Sequence, residues 1–168
     1  MISRRAPRPG GRATGAERPA DPAAARTAAA ALLARRDFAS TELYARLIAR
    51  GYEPPVATEA VAGLAAQGVL SDERFAHDYV ASRAGRGHGP LRIAAELRAR
   101  GLAAALIEAA LAAAVDWRAL AGAARARRFG KAPPASWKEK ARQARFLQYR
   151  GFSADHIRAA TGIDPDTD

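Results

Sequence analysis

The feature that most constrains this chain is a stop signal recurring every 50 residues: Leu47-Ile48-Ala49-Arg50-Gly51-Tyr52, Leu97-Arg98-Ala99-Arg100-Gly101-Leu102 and Leu147-Gln148-Tyr149-Arg150-Gly151-Phe152. In each copy Gly stands where a helix needs a left-handed residue past its end. Arg stands at the negative pole of the helix dipole, and a large apolar residue follows the Gly. In a Schellman stop the residue four before the Gly touches the residue after it, so Leu47–Tyr52, Leu97–Leu102 and Leu147–Phe152 are predicted contacts. Spacing, capping chemistry and the apolar follower recur together, which marks an internal repeat rather than the chance product of a chain rich in Ala, Arg and Leu. One small helical unit exposes apolar faces at both ends, so three units in series are the reasonable minimum.

No alternating strand pattern is present, and nine helical stretches fit the chain, three per repeat. In repeat one they lie near 23–36, from Ser40 as N-cap to Gly51, and from Pro55 onward. Repeat two opens with Ser71-Asp72-Glu73, an N-cap followed by two carboxylates. Phe75 and Tyr79 then share a face at i, i+4; its second helix runs from Pro90 to Gly101, and an Ala-rich third covers 103–115. Asp116 caps the first helix of repeat three, Ser136 and Glu139 form a capping box for its second, and Ser153 with Asp155 opens a short last helix. Position by position, Val56, Leu106 and His156 align, as do Ala60, Ala110 and Ala160. The expected architecture is all-α: an elongated tandem array of three three-helix repeats at 23–70, 71–115 and 116–163. A disordered basic arm (1–22) and an acidic tail (164–168) are expected to flank it.

The net charge of +10 points to a polyanionic partner, and its placement says more than its sum. Residues 21–70 and 71–116 are each neutral, whereas 117–150 carry ten cations against Glu139 alone. Those cations are interleaved with Trp117, Phe129, Trp137, Phe146 and Tyr149, a mixture suited to phosphate neutralisation and stacking. The alternative is an aromatic core beneath a solvated basic face. The expected division puts Trp117, Phe146 and Phe152 in the core and Arg125, Arg127, Arg128, Lys131, Lys138, Lys140 and Arg142 on the surface. There they are the candidate binding residues for nucleic acid or an acidic protein surface.

Enzyme signatures are not found: no phosphate loop of the Gly-x-x-x-x-Gly-Lys kind, no His-Glu-x-x-His zinc helix, no Gly-x-Ser-x-Gly elbow. With no Cys there is neither a disulfide framework nor a thiolate metal site, and His77, His88 and His156 have no spacing that joins them around a metal. No cofactor, secretory signal or membrane span is expected. The loop Arg83-Ala84-Gly85-Arg86-Gly87-His88-Gly89-Pro90 has the composition of a phosphate cradle, with Arg83 and Arg86 as its cations. The plainer reading is a connector in which Gly89 lets the chain turn into Pro90. Arg50, Arg100 and Arg150 are best explained by helix ends.

Leu70-Ser71-Asp72-Glu73-Arg74-Phe75-Ala76, then Tyr79, Arg83, Gly89, Ile93, Glu96-Leu97 and Gly101-Leu102, resemble the central motif of the bacterial RecX family of recombination regulators. Ser40-x-Glu42-Leu43-x-x-x-Leu47 with Gly51 resembles its first repeat. Lys140 and Phe146-Leu147-x-x-Arg150-Gly151-Phe152-Ser153 resemble its third, so the likeness spans about 24–163. On that resemblance Asp72, Phe75, Gly89, Leu97, Gly101, Arg150, Gly151 and Phe152 are structural motif positions. It implies tandem three-helix repeats, and binding to the RecA recombinase filament on single-stranded DNA. It further implies inhibition of the filament's ATPase, strand-exchange and co-protease activities, by a cytoplasmic monomer that is not an enzyme. Two other classes fit the composition: a helix-turn-helix protein acting on duplex DNA without RecA, and a helical-repeat adaptor for peptides.

Overall fold

A computed structural model describes residues 20–113 and 115–163; most of the expected basic arm and all of the acidic tail lie outside them. The described residues form nine helices and no strand: α1 (Pro22–Leu33), α2 (Ser40–Ala49), α3 (Pro54–Ala66), α4 (Asp72–Gly85), α5 (Pro90–Ala99), α6 (Ala104–Ala112), α7 (Trp117–Phe129), α8 (Trp137–Arg150) and α9 (Ala154–Thr161). The principal helix packing is all within the triplets α1–α3, α4–α6 and α7–α9. Each triplet has its own apolar core, centred on Leu43 and Leu47, on Ile93 and Leu97, and on Leu147 and Phe152.

The three stops have the expected geometry. Tyr52 N–H donates to the Leu47 carbonyl at 3.2 Å, Leu102 to Leu97 at 3.3 Å and Phe152 to Leu147 at 3.1 Å; the intervening glycines have φ of +89°, +80° and +88°. Each bond satisfies a carbonyl that the helix end would otherwise leave unpaired. Starts are also largely as the side chains dictate. Ser71 Oγ accepts from Arg74 N at 3.2 Å, and Asp116 accepts from Ala119 N at 2.9 Å.

Five local readings need correction, one of them α6, which ends at Ala112, short of 115. Helix α1 stops at Leu33, short of 36, and α3 begins at Pro54 rather than Pro55. At α8, Ser136 Oγ accepts from Glu139 N, but the Glu139 carboxylate reaches past the cap to Ala135 N at 2.9 Å, so the box is only half formed. At α2 the cap is Ala39, and Ser40 lies inside the helix with its N–H donating to Asp72 Oδ1 at 2.7 Å. Because the second unit supplies the acceptor, the cap residue is free to be small and apolar. Ala39 is 1% exposed and packs into the core of the second unit.

That contact belongs to a junction used twice. Between units one and two, Thr41 Oγ1 donates to the Gly101 carbonyl at 3.4 Å. Between units two and three, Gly89 N donates to the Arg150 carbonyl at 2.8 Å and Leu91 N to Gly151 at 3.0 Å. In both, the start of a second helix meets the Gly stop of the next unit; between units two and three, carbonyls left over at one helix end satisfy backbone donors left over at another, whereas between units one and two the stop's carbonyl takes the Thr41 hydroxyl. The backbones approach so closely that a Cβ on Gly89 would lie 2.3 Å from the Gly151 carbonyl oxygen, and one on Gly151 would lie 2.3 Å from Arg92 Cβ. Trp117 also bridges units two and three, packing on both cores and donating from Nε1 to the Leu111 carbonyl at 3.1 Å.

Candidate nucleic-acid interface

The basic third unit divides its cations among different tasks. Arg125 is not a surface group: it is 8% exposed, and its guanidinium donates to the carbonyls of Ala132 (2.9 Å) and Lys131 (3.2 Å) and to Gln143 Oε1 (3.3 Å). It braces the loop between α7 and α8, because a buried guanidinium must spend its donors on whatever acceptors surround it. Arg127, Arg128, Lys131, Lys138 and Arg142 are exposed, and Lys140 is half-buried. The Lys140 ammonium points toward Gly162, at the negative end of α9.

Helix α8 arranges its outer face by the helical period. Lys138, Arg142, Arg145 and Tyr149 follow one another at intervals of four, three and four residues and are all exposed, Tyr149 by 78%; Trp137 at the helix start is 61% exposed. Exposed aromatics beside cations are available for contact with a partner rather than part of a core. Trp137 and Tyr149 belong to the mixture that composition points to, whereas Arg145 is outside the candidate binding residues although the 3,4 spacing in the sequence places it on this stripe.

At the inner edge of this unit a cleft of about 120 Å³ opens, lined by Arg86 and Gly87 from the end of α4, Ala124, Arg127 and Arg128 from α7, and Phe146 and Arg150 from α8. Phe146 is half-buried, packing against the third core while it lines the cleft. Phe129 meets it edge-on, with centroids 5.3 Å apart, and the Arg150 guanidinium lies 5.2 Å from its ring centroid. Arg150 also donates to the Arg86 carbonyl at 3.2 Å, so the arginine of the third stop does more than complement a dipole. Among the described residues no carboxylate pairs with Arg86, Arg127, Arg128 or Arg150.

Arg83 has a different fate. Its Nε donates to Glu96 Oε2 at 2.7 Å and its NH2 to Oε1, while Tyr79 OH (2.8 Å) and Arg92 Nε (3.1 Å) complete the set around the same carboxylate. Burial alone would raise the Glu96 pKa; hydrogen bonds from Arg83, Tyr79 and Arg92 outweigh it and bring it to about 2. Burial and the bond to Glu96 push the Tyr79 hydroxyl up, so it remains a donor. Arg100 lies 4.7 Å over the Tyr79 ring and donates to the Glu96 carbonyl. The glycine-rich loop that follows is a connector docked on unit three. There His88 is driven down by burial and by Arg83, Arg92 and Arg150, and its Nδ1 is buried without a partner.

Unit one, neutral by count, nonetheless gathers Arg35, Arg36, Arg46 and Arg50 around a second cleft beside Leu32 and Phe38. Arg36 lies 3.7 Å over the Phe38 ring and pairs with Glu42 at 2.6 Å, whereas no carboxylate among the described residues pairs with the other three. No group of side chains suited to a metal ion occurs among the described residues, and none of their helices is long and apolar enough to cross a membrane.

A series of three-helix units, the third of which presents an arginine cleft and a cationic, aromatic helix face, defines a helical-repeat protein with one strongly basic unit. Family models describe two of the units, as the RecX second three-helix domain over residues 71–111 and the RecX third three-helix domain over 116–161. The regulatory protein RecX of Halorhodospira halophila is 47% identical over 146 residues, spanning 86% of this chain and 91% of that one. That of Stenotrophomonas maltophilia is 42% identical over 136 residues, spanning 80% and 83%. The crystal structure of RecX from Lactobacillus salivarius shares the fold with a TM-score of 0.73 at 20% identity, over 83% of this chain and 93% of that one. The chain belongs to the RecX family of regulatory proteins.

Proposed function

We propose that this chain is a non-enzymatic regulator that binds the RecA recombinase filament on single-stranded DNA. It restrains the filament's ATPase, strand-exchange and co-protease activities, and so modulates DNA repair and the SOS response. The observation that carries the reading is the concentration of unpaired cations and exposed aromatics on α8 and the adjoining cleft, in a unit whose two predecessors are neutral. Phosphate neutralisation and base stacking need that combination. Units joined in series suit a partner that is itself extended, and the regulator acts as a cytoplasmic monomer without a cofactor. Arg127, Arg128, Lys131, Lys138, Lys140, Arg142 and Arg86 face the partner, whereas Arg125 and Arg83 support the fold.

The test is RecA ATPase on single-stranded DNA with increasing amounts of this protein. Inhibition at substoichiometric ratios is expected, and its absence at every ratio overturns the reading. Replacing Lys138, Arg142 and Arg145 together by Gln is expected to weaken the inhibition and make it less sensitive to salt.

A further inference from the structure

The cleft of unit three and the Glu96 cluster of unit two are the same place in two copies of one repeat. Along the second helices the interval is 50 residues, so Phe146 holds the position of Glu96 and Arg150 that of Arg100. Along the first helices it is 45, a register fixed by burial: Ala76 and Ala121 are both 0% exposed, and Val80 (2%) corresponds to Arg125 (8%). That register places Ala124 at the position of Tyr79 and Arg128 at that of Arg83.

In unit two the chain supplies its own anion to this cleft, the Glu96 carboxylate held by Arg83, Arg92 and the Tyr79 hydroxyl. In unit three the cations remain at Arg128 and Arg150, and Arg127 and Arg86 join them. The carboxylate has been replaced by a phenyl ring and the tyrosine by a methyl group. The substitution removes the negative charge and leaves space in its place.

We propose that the unit-three cleft is a seat for a backbone phosphate of single-stranded DNA, occupying the position that Glu96 fills in unit two. The proposal rests on the functional reading above and names the ligand of that surface. Phosphodiester is favoured over an acidic side chain by what surrounds the seat. Phe146 in its wall and Tyr149 on the same helix offer ring faces to bases. Arg142 and Arg145 carry the positive charge onward along α8, as a repeating polyanion requires.

The full chain is titrated into a labelled oligothymidylate, read by anisotropy over a salt series. Phe146→Glu restores the carboxylate that unit two possesses. The expected result is a thermal transition that stays cooperative, an affinity loss of about tenfold, and a log–log salt slope shallower by about 0.7. Gln148→Glu makes the same addition of charge on an exposed part of α8 outside the cleft and serves as the control. Equal losses in the two variants overturn the seat, because net charge then explains both. If Phe146→Glu does not fold, Arg128→Gln takes its place, and an unchanged affinity and salt slope overturn the proposal. It also falls if an oligothymidylate with uncharged methylphosphonate linkages binds as tightly, or if polyglutamate shows the Phe146 dependence and DNA does not. RecA ATPase keeps the two readings apart. Inhibition without cleft-dependent DNA binding removes the seat alone, and cleft-dependent DNA binding without inhibition removes the RecA reading alone.

Discussion

At the scale of single residues, charge type does not decide role; the acceptors within reach do. Arg125 and Arg127 are two positions apart on α7, yet one is consumed by three internal acceptors while the other lines an open cleft. Arg125→Ala is therefore expected to cost about 2–3 kcal/mol in urea unfolding, through lost bonds from a charged donor and carbonyls left unpaired. Arg127→Ala should stay within about 0.5 kcal/mol. Glu96 makes the second prediction. Its carboxyl is depressed to about 2 in the folded chain from an ordinary 4.5, so its contribution is fully present above pH 4.5 and disappears as pH falls toward 2. The unfolding midpoint of the native chain should fall across that window, and Glu96→Gln should flatten the fall while lowering stability at neutral pH.

At the scale of elements, the recurring Gly stop has two functions that the sequence shows as one. All three copies end a helix, but only Gly101 and Gly151 also receive the preceding unit, whereas nothing lies within 4 Å of the place where a Cβ on Gly51 would stand. Gly51→Ala should cost only the left-handed strain, about 1–2 kcal/mol. Gly151→Ala should cost more, because it also forces Arg92 and the head of α5 away from the turn, and comparison of the two melting temperatures measures the junction directly. Unit three opens its second helix differently. By the 50-residue interval α8 would begin where Lys140 stands, yet it starts three residues earlier at Trp137 under its own Ser136 cap. The extra turn provides internally the acceptor that a following unit gives to α2 and α5.

At the scale of the whole molecule, joining units through turns rather than through a common core lets the units diverge in surface while the repeat holds. Each core is built mainly within its own triplet, with only Ala39 and Trp117 reaching into a neighbour's, so the third unit can take on ten cations without disturbing the others. The consequence for binding is electrostatic. Affinity for single-stranded DNA should fall steeply with salt, and each α8 cation replaced by Gln should reduce the log–log slope by about 0.7. The same replacement at Arg83 should leave the slope unchanged, because Glu96 already neutralises it. Measuring the slope for each variant separates cations that face the partner from those that face the protein.

The sequence by itself determined the helical class, the three-unit organisation, the stops and most of the starts, since capping and periodicity are written within a few neighbouring residues. It also located the excess of charge. Only the tertiary structure decided which cations are free. Val80 gives no warning that its counterpart is a buried Arg125, and a neutral total for residues 21–70 conceals three arginines converging without carboxylates. The Ser40 cap failed for the same reason: its N–H finds an acceptor 32 residues away on another unit. Whether a charge is available or already satisfied depends on groups distant in sequence and adjacent in space, and a count along the chain averages over that distance.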